Sequence, residues 1–215
     1  MVNIHMRQPA VTRGARLQEA SAAVVMMHGR DRNVEDILSI ADRIDLTNVH
    51  YVAPQADAYS WYPGRFMDDL AVNESYLQAA MECYNYHVHN LVSAGIPLSR
   101  LVLLGFSQGA CVTAEYAIRH AKRYGGVIVY TGALIGPDEG DWNYGGDFAG
   151  TPVFFGSSDV DSWIPEYRVQ HAANLLHERG ADVTKRIYPG MGHIVSDDEV
   201  EFARQLILKI QAMSA

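Results

Sequence analysis

The pentapeptide Gly105-Phe106-Ser107-Gln108-Gly109 is the segment of this sequence best suited to chemistry. It follows an apolar run and opens a stretch with helical spacing, which predicts a tight turn between a strand and a helix. Glycines on both sides of the serine let the strand and the helix approach without Cβ clashes. Such a turn lifts the Ser107 hydroxyl into the crevice at the carboxyl edge of a sheet, where it can act as a nucleophile. The alternative interpretation is a glycine-rich turn with an idle serine.

A serine hydroxyl is a weak nucleophile at neutral pH, so it needs an adjacent base that is held in the correct tautomer. His193 fits the role of the base because it lies in the loop 188–193, directly after the last expected strand. The glycines of this loop allow the chain to turn back toward Ser107. We interpret the other histidines as surface, packing or structural residues.

The carboxylate that orients the base should lie between the serine and the histidine in chain order, after the preceding strand. Residues 156–165 offer two choices, Asp159 and Asp161. We prefer Asp161 and keep Asp159 as the alternative, although both could simply be cap or turn residues ahead of the next helix. Together with Ser107 and His193, the carboxylate would complete a triad for acyl transfer, and the expected chemistry is hydrolysis of an ester or thioester.

These residues need a scaffold, and the remaining pattern predicts one. Short apolar runs rich in β-branched residues alternate with longer amphipathic stretches, which is typical of βα units around a mostly parallel sheet with helices on both faces. The expected strands are residues 22–27, 49–53, 101–105, 127–131, 153–156 and 183–188. The expected helices are residues 34–43, 68–94, 108–123, 166–179 and 198–213, and segment 137–150 is expected to be a surface loop. No repeat or linker divides the chain, so we expect one domain over residues 1–215.

Composition limits the classes of function and location. The formal net charge of −8, from 17 Lys and Arg against 25 Asp and Glu, provides no basic surface for a nucleic acid. No apolar run approaches the ~20 residues that span a bilayer, and no signal-peptide pattern is present, which predicts a cytoplasmic protein without a membrane span. Cys83 and Cys111 have apolar neighbours and are expected to be buried free thiols, although a disulfide between them stays open.

Several motifs together resemble the phospholipase/carboxylesterase family of α/β-hydrolases, which includes the acyl-protein thioesterases. They are the serine pentapeptide, Gly192-His193, Asp161-x-x-Ile164-Pro165, and His28-Gly29 after the first strand. The resemblance covers nearly the whole chain and implies the α/β-hydrolase fold without a large cap domain. In this family the triad carboxylate directly precedes the x-x-hydrophobic-Pro segment, which favours Asp161 over Asp159. Related members often form dimers, so a homodimer is an expectation from the resemblance alone.

Acyl transfer also needs hydrogen-bond donors aimed at the developing oxyanion. One donor is expected to be the backbone N–H of Gln108, directly after the nucleophile. The family resemblance assigns the second to the backbone N–H of Arg30, after His28-Gly29, and His28 is expected to hold that loop by hydrogen bonds. Residues 30–33, Arg-Asp-Arg-Asn, replace the apolar and glycine residues that are commoner in the family. A charged loop is therefore expected beside the acyl site.

Candidates for substrate binding come from a second resemblance within the family. Residues 54–66 resemble the substrate-pocket loop of the bacterial branch, with its Pro-Gln-Ala and Trp-Tyr-Pro segments. Clustered aromatic residues indicate an apolar wall, and the candidates are Trp61, Tyr62, Phe66 and, from the Asp161 segment, Ile164. The alternative is that Trp61 and Phe66 only pin a long connection to the core.

The expected function is a serine carboxylesterase that acts on a small-molecule ester through an acyl-enzyme on Ser107, with no cofactor and no metal. A zinc site at His87 and His89 is disfavoured because residues two apart in a helix do not face one another. The same machinery would serve an acyl-protein thioesterase, a lysophospholipase or an acyltransferase. A ligand-binding protein that uses the fold without turnover is the alternative from a different class.

Overall fold

Over residues 3–212, which the computed structural model describes, the chain forms seven strands and five α-helices. The strands are β1 (Val11–Gly14), β2 (Ala22–Met27), β3 (Val49–Ala53), β4 (Leu101–Phe106), β5 (Gly126–Tyr130), β6 (Pro152–Ser158) and β7 (Asp182–Tyr188). The helices are α1 (Val34–Ile44), α2 (Leu70–Ser93), α3 (Gln108–Arg119), α4 (Glu166–Glu178) and α5 (Asp197–Ala212).

The strands form one seven-stranded sheet in the order β1-β3-β2-β4-β5-β6-β7. Only β1 is antiparallel to its neighbour among the described strands; the other pairs are parallel. Alternate residues of β2 enter two separate hydrophobic clusters. Ala23 and Val25 pack with α2, α3 and α4 on one face, whereas Val24 and Met26 pack with α1 and α5 on the other. Helices therefore cover both faces, as the continuous apolar strands predicted.

The expected elements are present, with some shifted ends. β2 and β3 have the predicted bounds, whereas α2 begins at Leu70 because the Asp69 side chain caps it by accepting the N–H of Ala71. α3 ends at Arg119, earlier than predicted, where the Tyr124 hydroxyl donates to the carbonyl oxygen of His120. Residue Met213, the expected end of the last helix, lies outside the described residues.

β1 was not predicted from the sequence. Its four residues, Val-Thr-Arg-Gly, alternate between half-buried and exposed positions and carry little apolar signal. The strand forms by pairing with β3, a long-range contact that no local sequence pattern predicts.

Segment 137–150 is an irregular surface loop, as expected. Residues 3–212 contain no long insertion above the sheet and form no large cap domain.

Both cysteines are buried free thiols, as predicted. Burial raises the pKa of the Cys83 thiol to about 12 and that of the Cys111 thiol to about 11. Both thiols are therefore protonated and inert at neutral pH.

None of the helices in the described part of the chain combines the length and the hydropathy of a membrane-spanning segment.

The carboxyl ends of β2, β4, β6 and β7 place the candidate residues at one edge of the sheet. Met27 of β2 pairs with Gly105 of β4, so the loops that follow these two strands start side by side. Ser158 of β6 pairs with Tyr188 of β7, which brings the aspartate and histidine loops together in the same way. The sheet thus delivers four loops to one crevice.

Candidate active site

Ser107 lies at the turn between β4 and α3 with φ 55° and ψ −121°. A non-glycine residue with a positive φ is strained, typically by about 1–3 kcal/mol, and persists only where the surroundings hold it. Two backbone hydrogen bonds do so: the N–H of Ser107 donates to Tyr130 at 2.9 Å, and its carbonyl accepts the N–H of Cys111 at 3.0 Å. The hydroxyl is thereby fixed at the start of α3, where the helix dipole favours developing negative charge.

The glycines of the pentapeptide are required by close backbone approach. A Cβ on Gly105 would collide with the carbonyl oxygen of Gly109, and a Cβ on Gly109 would collide with the carbonyl oxygen of Met27. A Cβ on Gly29 would lie only 3.3 Å from the Cβ of Ser107. The nucleophile turn and the loop after β2 are therefore packed against each other without space for side chains.

Three side chains from three loops form a continuous hydrogen-bonded relay. The Oγ of Ser107 lies 2.7 Å from Nε2 of His193, and Nδ1 of His193 lies 2.7 Å from Oδ2 of Asp161. The Asp161 side chain is fully buried, whereas that of His193 is 25% exposed. Protonated Nδ1 donates to the carboxylate, so Nε2 is the nitrogen that can accept the serine proton.

The carboxylate of Asp161 is held by its own loop. Its Oδ1 accepts the backbone N–H groups of Trp163 at 2.8 Å and Ile164 at 2.9 Å, which leaves Oδ2 for His193. Asp159 has a different position, because its Oδ1 accepts the N–H of Gly190 at 2.7 Å and ties the two loops together. The structure therefore brings Asp161, not Asp159, to the imidazole.

The two backbone groups expected as oxyanion donors border the nucleophile. Gln108 is the first residue of α3, so its N–H has no acceptor within the helix. Arg30 follows Gly29, which packs against Ser107. Within residues 3–212, neither N–H has a hydrogen-bond acceptor. Both are thus free to donate to a bound ligand.

A sequence model described as phospholipase/carboxylesterase matches residues 8–211. The chain belongs to the phospholipase/carboxylesterase family. Family membership confirms the resemblance read from the motifs and supports ester hydrolysis as the class of reaction.

Individual proteins similar to this phospholipase/carboxylesterase family member carry names of the same kind. The crystal structure of a phospholipase/carboxylesterase from Dyadobacter fermentans is 40% identical, with a TM-score of 0.89 over 93% of this chain and 96% of that chain. An acyl-protein thioesterase 1 from Gibberella zeae is 28% identical over 68% of this chain and 64% of its own length. A probable SOBER1-like carboxylesterase from Arabidopsis thaliana is 25% identical over 60% of this chain and 50% of its own length. The chain thus spans half to two thirds of these two curated relatives, and the α/β-hydrolase fold is confirmed.

In this family member, the loop after β2 is held by a buried imidazole. The N–H of Ala56 donates to Nε2 of His28 at 3.0 Å, so the proton is on Nδ1, which donates to the carbonyl of Gly29 at 2.7 Å. Burial lowers the pKa of His28 and keeps the ring neutral. The indole N–H of Trp61 donates to the carbonyl of His28 at 2.8 Å. His28 therefore positions the segment that carries the N–H of Arg30.

The expected substrate-binding residues of this family member lie in the interior of the structure. Trp61, Tyr62, Phe66 and Ile164 are all buried. Trp61 instead pins its loop to the core, which was the alternative interpretation. The Gln108 side chain, which sequence reasoning missed, holds the same loop by accepting the N–H of Trp61 at 2.9 Å and donating to the carbonyl of Tyr62 at 2.7 Å.

Other apolar side chains are exposed beside the triad. Trp163 is 65% exposed and Ile194 is 58% exposed. The sequence could have indicated that they lie near the triad, since Trp163 follows Asp161 by two residues and Ile194 follows His193 directly.

Among the described residues, no three His, Cys, Asp or Glu side chains converge as ligands for a metal.

We expect Arg30→Ala to retain turnover of a small ester within about threefold, because the expected oxyanion donor is the backbone N–H. The guanidinium of Arg30 is engaged elsewhere, because it donates to the carbonyls of Tyr62, Pro63 and Gly64. Loss of these bonds should lower the free energy of unfolding by about 1–2 kcal/mol. Steady-state kinetics with p-nitrophenyl acetate and urea unfolding measure the two effects. A loss of turnover near that of Ser107→Ala would instead assign a role to the side chain.

The free energy of unfolding should fall as the pH drops below about 6.5, the ordinary pKa of histidine. Burial lowers the pKa of His28 and of His5, and lowers that of His87 to about 4. Between the two pKa values the unfolded chain binds more protons than the folded chain. The contribution of these histidines to the free energy of unfolding is therefore complete above the unfolded pKa and is lost as the pH falls to the folded pKa. Thermal unfolding between pH 8 and pH 4.5 measures the trend. His87→Leu, outside the site, should flatten it; equal pH dependence in both proteins would contradict the assignment.

Proposed function

We propose that this protein is a serine carboxylesterase that hydrolyses small to medium carboxylic esters through an acyl-enzyme on Ser107. The observation that carries the proposal is the relay of two 2.7 Å hydrogen bonds from Ser107 through His193 to buried Asp161. A ligand-binding protein has no need of this arrangement, which activates a hydroxyl as a nucleophile. Membership of the phospholipase/carboxylesterase family supports the same reaction class.

The first half-reaction forms the acyl-enzyme. The Oγ of Ser107 attacks the ester carbonyl carbon while Nε2 of His193 accepts the hydroxyl proton. Asp161 stabilises the resulting imidazolium, and the N–H groups of Arg30 and Gln108 stabilise the tetrahedral oxyanion. The intermediate then expels the alcohol, whose oxygen takes the proton from His193.

The second half-reaction releases the acid. His193 accepts a proton from a water molecule, whose oxygen attacks the acyl carbon, and the same N–H groups stabilise the second oxyanion. The intermediate collapses when His193 returns the proton to the Oγ of Ser107. The part-exposed imidazole and the lack of a large cap among the described residues leave water access to the acyl-enzyme.

The chain-length limit of the acyl group is tested with p-nitrophenyl esters from acetate to palmitate. We expect measurable kcat/KM for the short and medium esters and a decline toward palmitate, because the described residues hold no large cap that could enclose a long acyl chain. No hydrolysis of any ester by folded protein would favour the ligand-binding alternative. A maximum at palmitate would favour a lipid substrate instead.

Thioester hydrolysis is the second candidate, because relatives include a protein named acyl-protein thioesterase 1. The same nucleophile and oxyanion donors serve a thioester, and only the leaving atom differs. Phenyl butyrate and S-phenyl thiobutyrate form a matched pair with one acyl group. A higher kcat/KM for phenyl butyrate supports the carboxylesterase; a preference of about tenfold or more for the thioester supports the thioesterase.

A further inference from the structure

A cavity of about 260 Å³ opens beside His193, between α1 and the loop after β7. Its lining includes the apolar side chains of Ile37, Ile40, Phe106 and Val195. Pockets that hold whole ligands are usually about 300–1,000 Å³, so this cavity has the size for one part of a substrate. Another cavity, of about 610 Å³, lies between α5 and the sheet and is lined by none of the triad residues.

The chemistry of the proposed function indicates which part of the substrate enters. His193 must give its proton to the oxygen of the leaving alcohol, so that alcohol lies against the imidazole. The cavity is lined by His193 together with the next two residues, Ile194 and Val195. It therefore fits the leaving alcohol, with its apolar lining against the carbon skeleton. This assignment rests on the proposed function.

One arginine of the cavity is placed near the reacting groups. A Cβ on Gly29 would lie 3.5 Å from Cγ of Arg32 and 3.3 Å from Cβ of Ser107, so both side chains pack on Gly29. The Arg32 side chain is 57% exposed and forms a long ion pair with Asp36, whose Oδ1 lies 4.0 Å from Nη1, beyond hydrogen-bond distance. Within residues 3–212 the Arg32 guanidinium makes no hydrogen bond. Its donors are therefore open to a ligand in the cavity.

The other charged groups of the cavity are already engaged. Nη2 of Arg43 donates to the carbonyl of Val195 at 3.1 Å and to Asp197 at 2.7 Å. Oδ2 of Asp36 accepts the N–H of Asn33 at 3.1 Å, as part of the cap of α1. Of the two arginines that line this cavity, Arg32 is thus the one whose hydrogen-bond donors can bind a substrate.

We propose that Arg32 is a specificity-determining residue that favours esters whose leaving alcohol carries a carboxylate. A guanidinium binds a carboxylate by charge-assisted, often bidentate hydrogen bonds. A singly charged group fits better than a phosphate dianion because the carboxylate of Asp36 stands on the same wall and the whole chain carries a net charge of −8. The substrate class is then a small ester of a hydroxy acid, esterified at its hydroxyl.

Two esters with the same acetyl group test the proposal: 4-acetoxybenzoate and its neutral amide, 4-acetoxybenzamide. Arg32→Gln should lower kcat/KM for the benzoate ester about five- to tenfold and change that of the amide ester less than about twofold. Arg16→Gln is the matched control, because Arg16 precedes β2 at the opposite edge of the sheet and pairs with Glu19. It should change neither value. An equal effect of Arg32→Gln on both esters, or none, would overturn the proposal.

Binding of 4-hydroxybenzoate to the Ser107→Ala protein provides a readout without turnover. Calorimetry should give about five- to tenfold weaker binding when Arg32→Gln is added, and no such change with Arg16→Gln. If neither ester is hydrolysed, the proposed function fails, whereas the binding difference still supports the Arg32 site. Unchanged binding in the Arg32→Gln protein, or no binding in either, would overturn the site even if both esters are hydrolysed.

Discussion

Ser107→Ala should lower kcat for p-nitrophenyl butyrate by about 10⁵- to 10⁶-fold, the loss typical of removing a triad nucleophile. The variant removes the Oγ that lies 2.7 Å from Nε2 of His193, and no other hydroxyl takes part in the described relay. The backbone conformation at this position does not depend on the hydroxyl, because its two supporting hydrogen bonds are made by the main chain. Thermal unfolding should therefore stay close to that of the wild type.

The matched control for this prediction is Ser162→Ala. Ser162 lies next to Asp161 in the sequence, is exposed, and makes no side-chain hydrogen bond within the described residues. Its loss should leave kcat within about twofold. A loss of less than about tenfold in folded Ser107→Ala protein would show that another group is the nucleophile, and would remove the mechanism proposed here.

Asp161→Asn should lower kcat by about 10⁴-fold while leaving the fold intact. The asparagine amide can present an N–H to Nδ1 of His193, which would then hold the imidazole in the tautomer that protonates Nε2. That tautomer cannot accept the proton of Ser107, and the buried negative charge that stabilises the imidazolium is lost as well. Rates measured at pH 7 to 8 with p-nitrophenyl butyrate, with circular dichroism as the check on folding, test this expectation.

Asp159→Asn is the matched control, because it makes the same chemical change two residues away. Its Oδ1 accepts the N–H of Gly190, and the asparagine oxygen can accept the same bond. The expected loss in kcat is below about tenfold. Similar losses in the two variants, or a greater loss in Asp159→Asn, would contradict the assignment of Asp161 as the orienting carboxylate.

The sequence was informative about this site because its parts follow the carboxyl ends of strands. Ser107 stands directly after the buried strand β4 and next to Gln108-Gly109, whereas His193 follows Gly192 in the loop after β7, a partly exposed strand. Parallel strands deliver both positions to one edge of the sheet. The choice between Asp159 and Asp161 rested partly on the family resemblance. Local pattern alone does not determine which of two nearby carboxylates turns toward the imidazole, since backbone N–H groups of residues 163 and 164 make that choice.

Residues that depend on long-range contacts were harder to predict. The pattern of aromatic residues did not distinguish a pocket wall from a core anchor, and Trp61 is an anchor because its indole N–H meets the carbonyl of His28. The Gln108 side chain, which clamps the same loop, looks in the sequence like an ordinary first residue of a helix. β1 forms only through pairing with β3. Each of these features is a contact between segments far apart in the chain.

Covalent labelling with a fluorophosphonate, followed by peptide mass spectrometry, tests the acyl-enzyme on Ser107 most directly. The reagent reacts with a serine only where a base and oxyanion donors activate it. We predict one adduct per chain, on the peptide that contains Ser107, absent from Ser107→Ala protein and retained in Ser162→Ala protein. No adduct on folded wild-type protein, or an adduct on another residue, would contradict the account.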